Sequence, residues 1–67
     1  MKKSFNLKDF SAGQCFKNKK GIILDILAVE NGGVFKVRTV ENGEESIGLW
    51  DWRRFVLIIQ QYGLEEV

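Results

Sequence analysis

The 67-residue sequence contains no histidine, no proline and a single cysteine. Without histidine it lacks the usual general base near neutral pH and the commonest transition-metal ligand. Cys15 alone can form neither an internal disulfide nor a cysteine-rich zinc site. The glycines match neither a Gly-x-x-x-x-Gly-Lys phosphate loop nor a dinucleotide fingerprint. No catalytic constellation, metal site or cofactor is therefore expected, and the chain reads as something other than an enzyme. A long apolar run is missing too. The best one, 22–29, contains Asp25, whereas a transmembrane helix needs about 20 predominantly apolar residues, so no membrane partner is expected. Lys2 and Lys3 imitate the basic start of a secretory signal, but Lys8 and Asp9 interrupt the apolar stretch that should follow. Together with the lone thiol this points to the cytoplasm.

What is present is a balanced composition, 45% hydrophobic and 28% charged, with a net charge of +1. This describes one small globular domain spanning 1–67. A chain of this size buries only about 60% of its unfolded surface, and its core rarely supplies more than about 3–5 kcal/mol. A deep enzymatic cleft would be hard to accommodate in it.

Turn signals fall at intervals that suit short strands: Gly13, then 18–21, then Asn31-Gly32-Gly33, then Asn42-Gly43. The segments between them are rich in β-branched and aromatic residues, which favours strands. Strands are expected near 14–17, 21–30, 33–41, 44–50 and 55–61. Side chains alternate across a strand, so Phe35, Val37 and Thr39 share one face while Lys36 and Arg38 share the other. In 21–30 both parities are largely apolar, which reads as a long, bent strand partly covered on both sides. The Asn-Gly pairs supply the positive φ of tight hairpins, so the first strands form an antiparallel meander. The segment after Asp51 has two readings. Asp51 could cap a helix from Trp52 to Tyr62, ended by Gly63, with Trp52, Phe55, Val56, Ile59 and Tyr62 on one stripe. The continuous apolar block 55–59, three of its five residues β-branched, instead favours a short turn at 51–54 leading into a closing strand, and that reading is preferred.

Gly13-Gln14-Cys15-Phe16-Lys17, the apolar strand, the two Asn-Gly hairpins and the run from Trp50 to Ile58 together resemble an SH3-like small β-barrel. The resemblance covers about 10–60 and is one of pattern and spacing. It implies an all-β fold of about five short antiparallel strands, with a short helical turn before the last strand. The barrel would span about 10–61, with 1–9 and 62–67 as flanks. The prolines and the Ala-Leu-Tyr-Asp-Tyr style motif of peptide-binding SH3 domains are absent, so recognition of polyproline does not carry over.

Charge is uneven along the chain. Residues 1–20 hold six lysines and one aspartate, 21–40 are balanced, and 41–67 hold six acids and two arginines, which predicts a dipolar molecule. Trp50 and Trp52 share a parity if the chain stays extended, with one ring closing the core and Trp52 exposed against Arg53 or Arg54 by a cation–π contact. Trp and Arg are the types most enriched at binding hot spots, so Trp50, Trp52, Arg53 and Arg54 are the candidate protein-binding residues. A protein-interaction adaptor or regulator, of a kind that would suit a phage or mobile-element genome, is the leading functional expectation. The alternative is a nucleic-acid-binding small barrel, in which Lys17, Lys19, Lys20, Lys36, Arg38, Arg53 and Arg54 converge on phosphates and a tryptophan stacks on bases. A third expectation, compatible with either, is a homodimer formed through an uncovered edge strand. Asp25 reads as an outward carboxylate on a strand edge that discourages edge pairing. Cys15 reads as a small buried hydrophobe, or as a thiol whose pKa Lys17 lowers. Glu41, Glu44 and Glu45 around the second Asn-Gly turn, with Glu65 and Glu66, read as a soluble acidic surface or a mimic of phosphates.

Overall fold

A computed structural model describes residues 5–67; Lys2 and Lys3 lie outside the described residues. A short 3-10 turn, Leu7–Asp9, leads into strand β1, Cys15–Lys17, then β2, Ile23–Glu30, β3, Val34–Glu41, and β4, Glu44–Asp51. Helix α1, Trp52–Gln61, follows, and the two-residue strand β5, Glu65–Glu66, ends the order. All five strands are antiparallel and lie in the order β4-β3-β2-β1-β5. The fold is thus dominated by β-structure and compatible with a small barrel-like architecture, although β4 and β5 are not bonded to each other.

The meander forms where the turn chemistry permits it. Asn42 and Gly43 both take positive φ, 55° and 79°, the left-handed pair that a two-residue hairpin of right-handed twist demands. Glu41 and Glu44 close that hairpin, and β3 and β4 pair without a register shift from there to Val34 and Asp51. In β2 the register shifts between Ile26 and Ala28, so Leu27 is a bulge. That extra residue moves Val29 into register with Phe35 and Ala28 with Lys36. Leu24 and Ile26 are buried before the bulge, whereas Leu27 and Val29 are 41% and 42% exposed, so the strand is not covered on both sides as its two apolar parities suggest.

Residues 55–61 form a helix rather than the closing strand expected from their apolar block. Asp51 keeps an extended backbone and accepts a hydrogen bond from the Arg53 N–H at 2.8 Å, the cap that opens a helix. Gly63 takes φ +64° just past the helix end, as a left-handed terminator does. Within the block only Phe55 and Ile59 are fully buried, Val56 and Ile58 are half-buried, and Leu57 is 63% exposed. The helical stripe outweighs the β-branched content because it brings Phe55 and Ile59 onto the only core available. Ten residues, not a single turn, thus precede the final strand. That strand lies in the expected flank 62–67: Glu65 pairs with Lys17 and Glu66 with Phe16, and Leu64 is buried.

The core comprises Phe10, Phe16, Leu24, Ile26, Phe35, Val37, Phe55, Ile59 and Leu64. It occupies one face of the sheet, under α1. Register places Cys15, Asp25, Arg38 and Ile47 in one row on the opposite face, and Ala28, Lys36 and Leu49 in another. No element of the described residues packs over these rows as α1 packs over the other face.

Gly33 joins the sheet to the helix. It is buried with φ +77°, its carbonyl accepts the Trp52 N–H at 2.8 Å, and a Cβ there would lie 2.5 Å from Trp52 Cδ1. Gly32 has a similar φ, +81°, with open space around it. Gly32→Ala should cost only the left-handed penalty, about 1–2 kcal/mol. Gly33→Ala should cost clearly more, because the indole must also move. Urea denaturation of both variants checks this, and equal losses would contradict the packing of Trp52 on Gly33.

Candidate functional site

The β4–α1 junction brings four of the expected residues together. Trp50 lies on the core face of β4, opposite Phe35, with its ring 6.0 Å from that of Phe55. Trp52 is the first residue of α1, so the two rings do not share a strand parity as an extended chain would require. Both are half-buried, so the expected division into one buried ring and one partly exposed ring, Trp52, is not found. Each indole carries its own arginine: the Arg53 guanidinium lies 5.5 Å from the Trp52 ring centroid, and that of Arg54 lies 5.5 Å from the Trp50 centroid. These distances fall within cation–π range.

The electrostatics of this corner favour anions. Arg53 and Arg54 occupy the first turn of α1, where the helix dipole is already positive, and no acidic residue lies in that turn. The Asp51 cap is the one nearby carboxylate in sequence. Neither arginine forms an ion pair among the described residues, where the one salt bridge joins Arg38 to Asp25. The corner therefore presents two flat, weakly hydrated cations backed by aromatic rings.

The seven cations of the nucleic-acid reading are not brought together. Lys17, Lys19 and Lys20 line a shallow groove of about 590 Å³ with Tyr62, Gly63 and Glu65, at the C-terminal end of α1. Arg53 and Arg54 lie at its N-terminal end, beside the 31–33 turn. The eight residues of each of β2 and β3 separate these ends by about 25 Å, at roughly 3.3 Å per residue. Lys36 stands on the uncovered face, and Arg38 is occupied. The acidic Glu41–Glu44 turn shares an end of the sheet with Lys19 and Lys20, and Glu65 is paired with Lys17. Opposite charges thus sit side by side at that end, which weakens the dipole expected from the sequence.

The row across β1, β2 and β3 was not legible as a cluster. Asp25 stands in the central strand of the sheet, not on an edge, because β1 and β5 lie beyond it. Its Oδ2 accepts from Arg38 Nε at 2.9 Å and also from Arg38 Nη2. The Cys15 thiol donates to the same carboxylate, and this bond, helped by burial, pushes the thiol pKa up rather than down. The carboxyl of Asp25 is held below its ordinary value, first by the Cys15 thiol and then by Arg38, against the opposing effect of burial. These contacts account for all three groups structurally. A thiol kept protonated is a poor nucleophile, and no cluster of three or more metal-ligating side chains occurs among the described residues.

Sequence reading also missed which strand is the open edge. Among the described residues β4 has a neighbour on one side only, and its Ile47 and Leu49 are 55% and 69% exposed. Their shared parity could be read from the sequence, but the strand order could not.

Comparison with known protein families, with curated proteins and with solved structures gives no match in any of the three. No helix of the described residues is long and apolar enough to cross a membrane.

A carboxylate whose pKa falls on folding stabilises the fold above its unfolded value, and that contribution is lost as pH falls through the lower folded value. Stability should therefore decline below about pH 4, near the ordinary carboxyl value of 3.8, and continue to fall with further acid. Asp25→Asn should be less stable at neutral pH and show a flatter acid limb in thermal denaturation followed across pH. An unchanged limb would mean that Asp25 is not what the acid titrates.

Proposed function

We propose that this chain is a non-catalytic protein-interaction module on an SH3-like small barrel, acting in the cytoplasm as an adaptor or regulator. Its binding site is the corner of Trp50, Trp52, Arg53 and Arg54. The observation that supports this most directly is the pairing of each indole with its own guanidinium, neither guanidinium being matched by an acid among the described residues. Aromatic and arginine side chains arranged as flat, partly desolvated plates are the chemistry of hot spots.

That chemistry fits a partner segment in which acidic and apolar residues alternate. A carboxylate would take the outer edge of a guanidinium in a bidentate pair, while an apolar neighbour covers the indole. The separation of the basic residues between the two ends of α1 favours this reading over nucleic acid, whose affinity grows with the number of phosphates neutralised together. The half-buried free thiol of Cys15, with no second cysteine to bridge to, suits a reducing compartment.

The test is a panel of labelled ten-residue peptides alternating glutamate with leucine or phenylalanine, lysine versions of the same peptides, and single-stranded DNA, followed by anisotropy and tryptophan fluorescence. The acidic peptides should bind and perturb the tryptophan signal. Trp52→Ala and Arg53→Ala should each weaken binding about tenfold or more, which corresponds to about 1.4 kcal/mol. Equal binding of the lysine peptides would overturn the proposal. So would DNA binding that collapses with salt and depends on Lys17, Lys19 and Lys20, in favour of a nucleic-acid function.

A further inference from the structure

Among the described residues β4 is the one long strand whose outer side is unpaired; the opposite end of the sheet is β5, two residues long and acidic. Natural edge strands are usually blunted by shortness, proline, charged side chains or a bulge. β4 runs eight residues, Glu44–Asp51, with no proline and no shift in its register with β3, and its charges, Glu44, Glu45 and Asp51, stand only at its ends, leaving 46–50 uncharged. The direction of its free backbone groups follows from the ladder. Trp52 N–H bonds to the Gly33 carbonyl, and hydrogen-bonded and non-bonded pairs alternate along an antiparallel pair. Residues 46, 48 and 50 therefore bond inward to β3, while Glu45, Ile47 and Leu49 turn their N–H and C=O groups outward. The same residues carry the side chains of the uncovered face, two of them exposed and apolar.

We propose that the occupant of this edge is a second copy of the chain, its β4 antiparallel to the first about a two-fold axis at Ile47. Outward-facing residues must meet outward-facing residues, so only alternate registers are allowed, and charge and paired length choose among them: with Ser46 opposite itself, Leu49 would lie beyond the end of the other copy's β4. With Ile47 opposite Ile47 of the second copy, Glu45 of each chain faces Leu49 of the other, and no acid faces an acid. A slip that sets Gly48 opposite itself would instead place Glu45 against Asp51 twice, and like charges directly opposite are destabilising.

The chosen register is complementary on both faces. On the uncovered face Lys36, which stands opposite Leu49 within its own chain, is two strands, about 10 Å, from Glu45 of the second copy. That is a span the two side chains can close over Leu49. On the helix face Trp50 meets Glu44 of the second copy, and the Arg54 guanidinium already lies over that indole. Ile47 and Leu49 of both chains form one apolar stripe, and three bonded pairs, 45/49, 47/47 and 49/45, exchange about six main-chain hydrogen bonds. A net charge of +1 per chain sets little repulsion against association. Trp50 and Arg54 are shared with the corner, whereas Trp52 and Arg53 lie past the last paired residue, so this interface needs only half of the proposed partner-binding site.

Sedimentation velocity from low micromolar to millimolar protein should show a concentration-dependent dimer. Ile47→Lys, at an exposed position that leaves the core intact, should raise its dissociation constant about tenfold or more. Lys36→Glu should also weaken it, and Lys36→Glu combined with Glu45→Lys should recover part of the loss, whereas Arg53→Ala, at an exposed position past the paired residues, should leave it unchanged. In a Cys15→Ser background, Ile47→Cys should form an intermolecular disulfide on mild oxidation, since directly opposed residues are about 5.5 Å apart; Gly48→Cys should not. A monomer at every concentration, with no disulfide from Ile47→Cys, would overturn the proposal. Cross-linking through Gly48→Cys in preference to Ile47→Cys would overturn the register.

Discussion

The ring of Phe55, carried by α1 onto the sheet, lies 5.4–6.0 Å from the rings of Phe10, Phe16, Phe35 and Trp50, mostly edge to face. Through it the entry segment, two strands, the edge strand and the helix share one set of contacts. Edge-to-face geometry adds to the burial of each ring, and in a core of nine buried side chains few other contacts join so many elements. Phe55 can occupy this place only if α1 begins at Trp52, which requires the Asp51 cap and the close approach of Trp52 to Gly33. The helix start, the aromatic cluster and the corner of indoles and guanidiniums are consequences of one geometry.

Much of this was legible from local chemistry. The Asn-Gly turns and the alternation of Phe35, Val37 and Thr39 against Lys36 and Arg38 placed β3 and its hairpins within a residue or so. They did so because a turn's φ requirement and a strand's parity are both local. The helix was less legible. A five-residue apolar block reads equally as a buried strand or as part of a buried helix, and the cap and stripe outweigh β-propensity only once a sheet face exists for Phe55 and Ile59 to cover. β5 was illegible for a related reason: two glutamates have no strand tendency, and they pair with β1 because Leu64 is already buried beside them.

The site was legible in its residue types and not in its geometry. Trp50, Trp52, Arg53 and Arg54 are consecutive but for Asp51, so any compact fold keeps them near each other. Which ring faces which cation depended on the change from strand to helix between them. The basic set failed to converge for the complementary reason: its members come from elements whose relative placement is tertiary. Arg38 is drawn to Asp25 across β2 and β3, and the lysines of the β1–β2 turn are held about a strand's length from α1's first turn.

The exposed features follow from size. A chain of 67 residues has material for one helix, and α1 covers one face of a five-stranded sheet. The other face must be tolerated by water, which it is through Lys36, the Asp25–Arg38 pair and Glu45, set among Ile47 and Leu49. Closing the sheet on itself would remove the edge by joining β4 to β5, but β5 is only two residues long and the two are not bonded. An antiparallel edge with outward-turned backbone groups, apolar side chains at its centre and opposite charges at complementary distances is thus what remains when so small a core is satisfied first. Association through that edge would bury Ile47 and Leu49, which the described fold leaves 55% and 69% exposed, and it would do so without using the Trp52–Arg53 side of the corner.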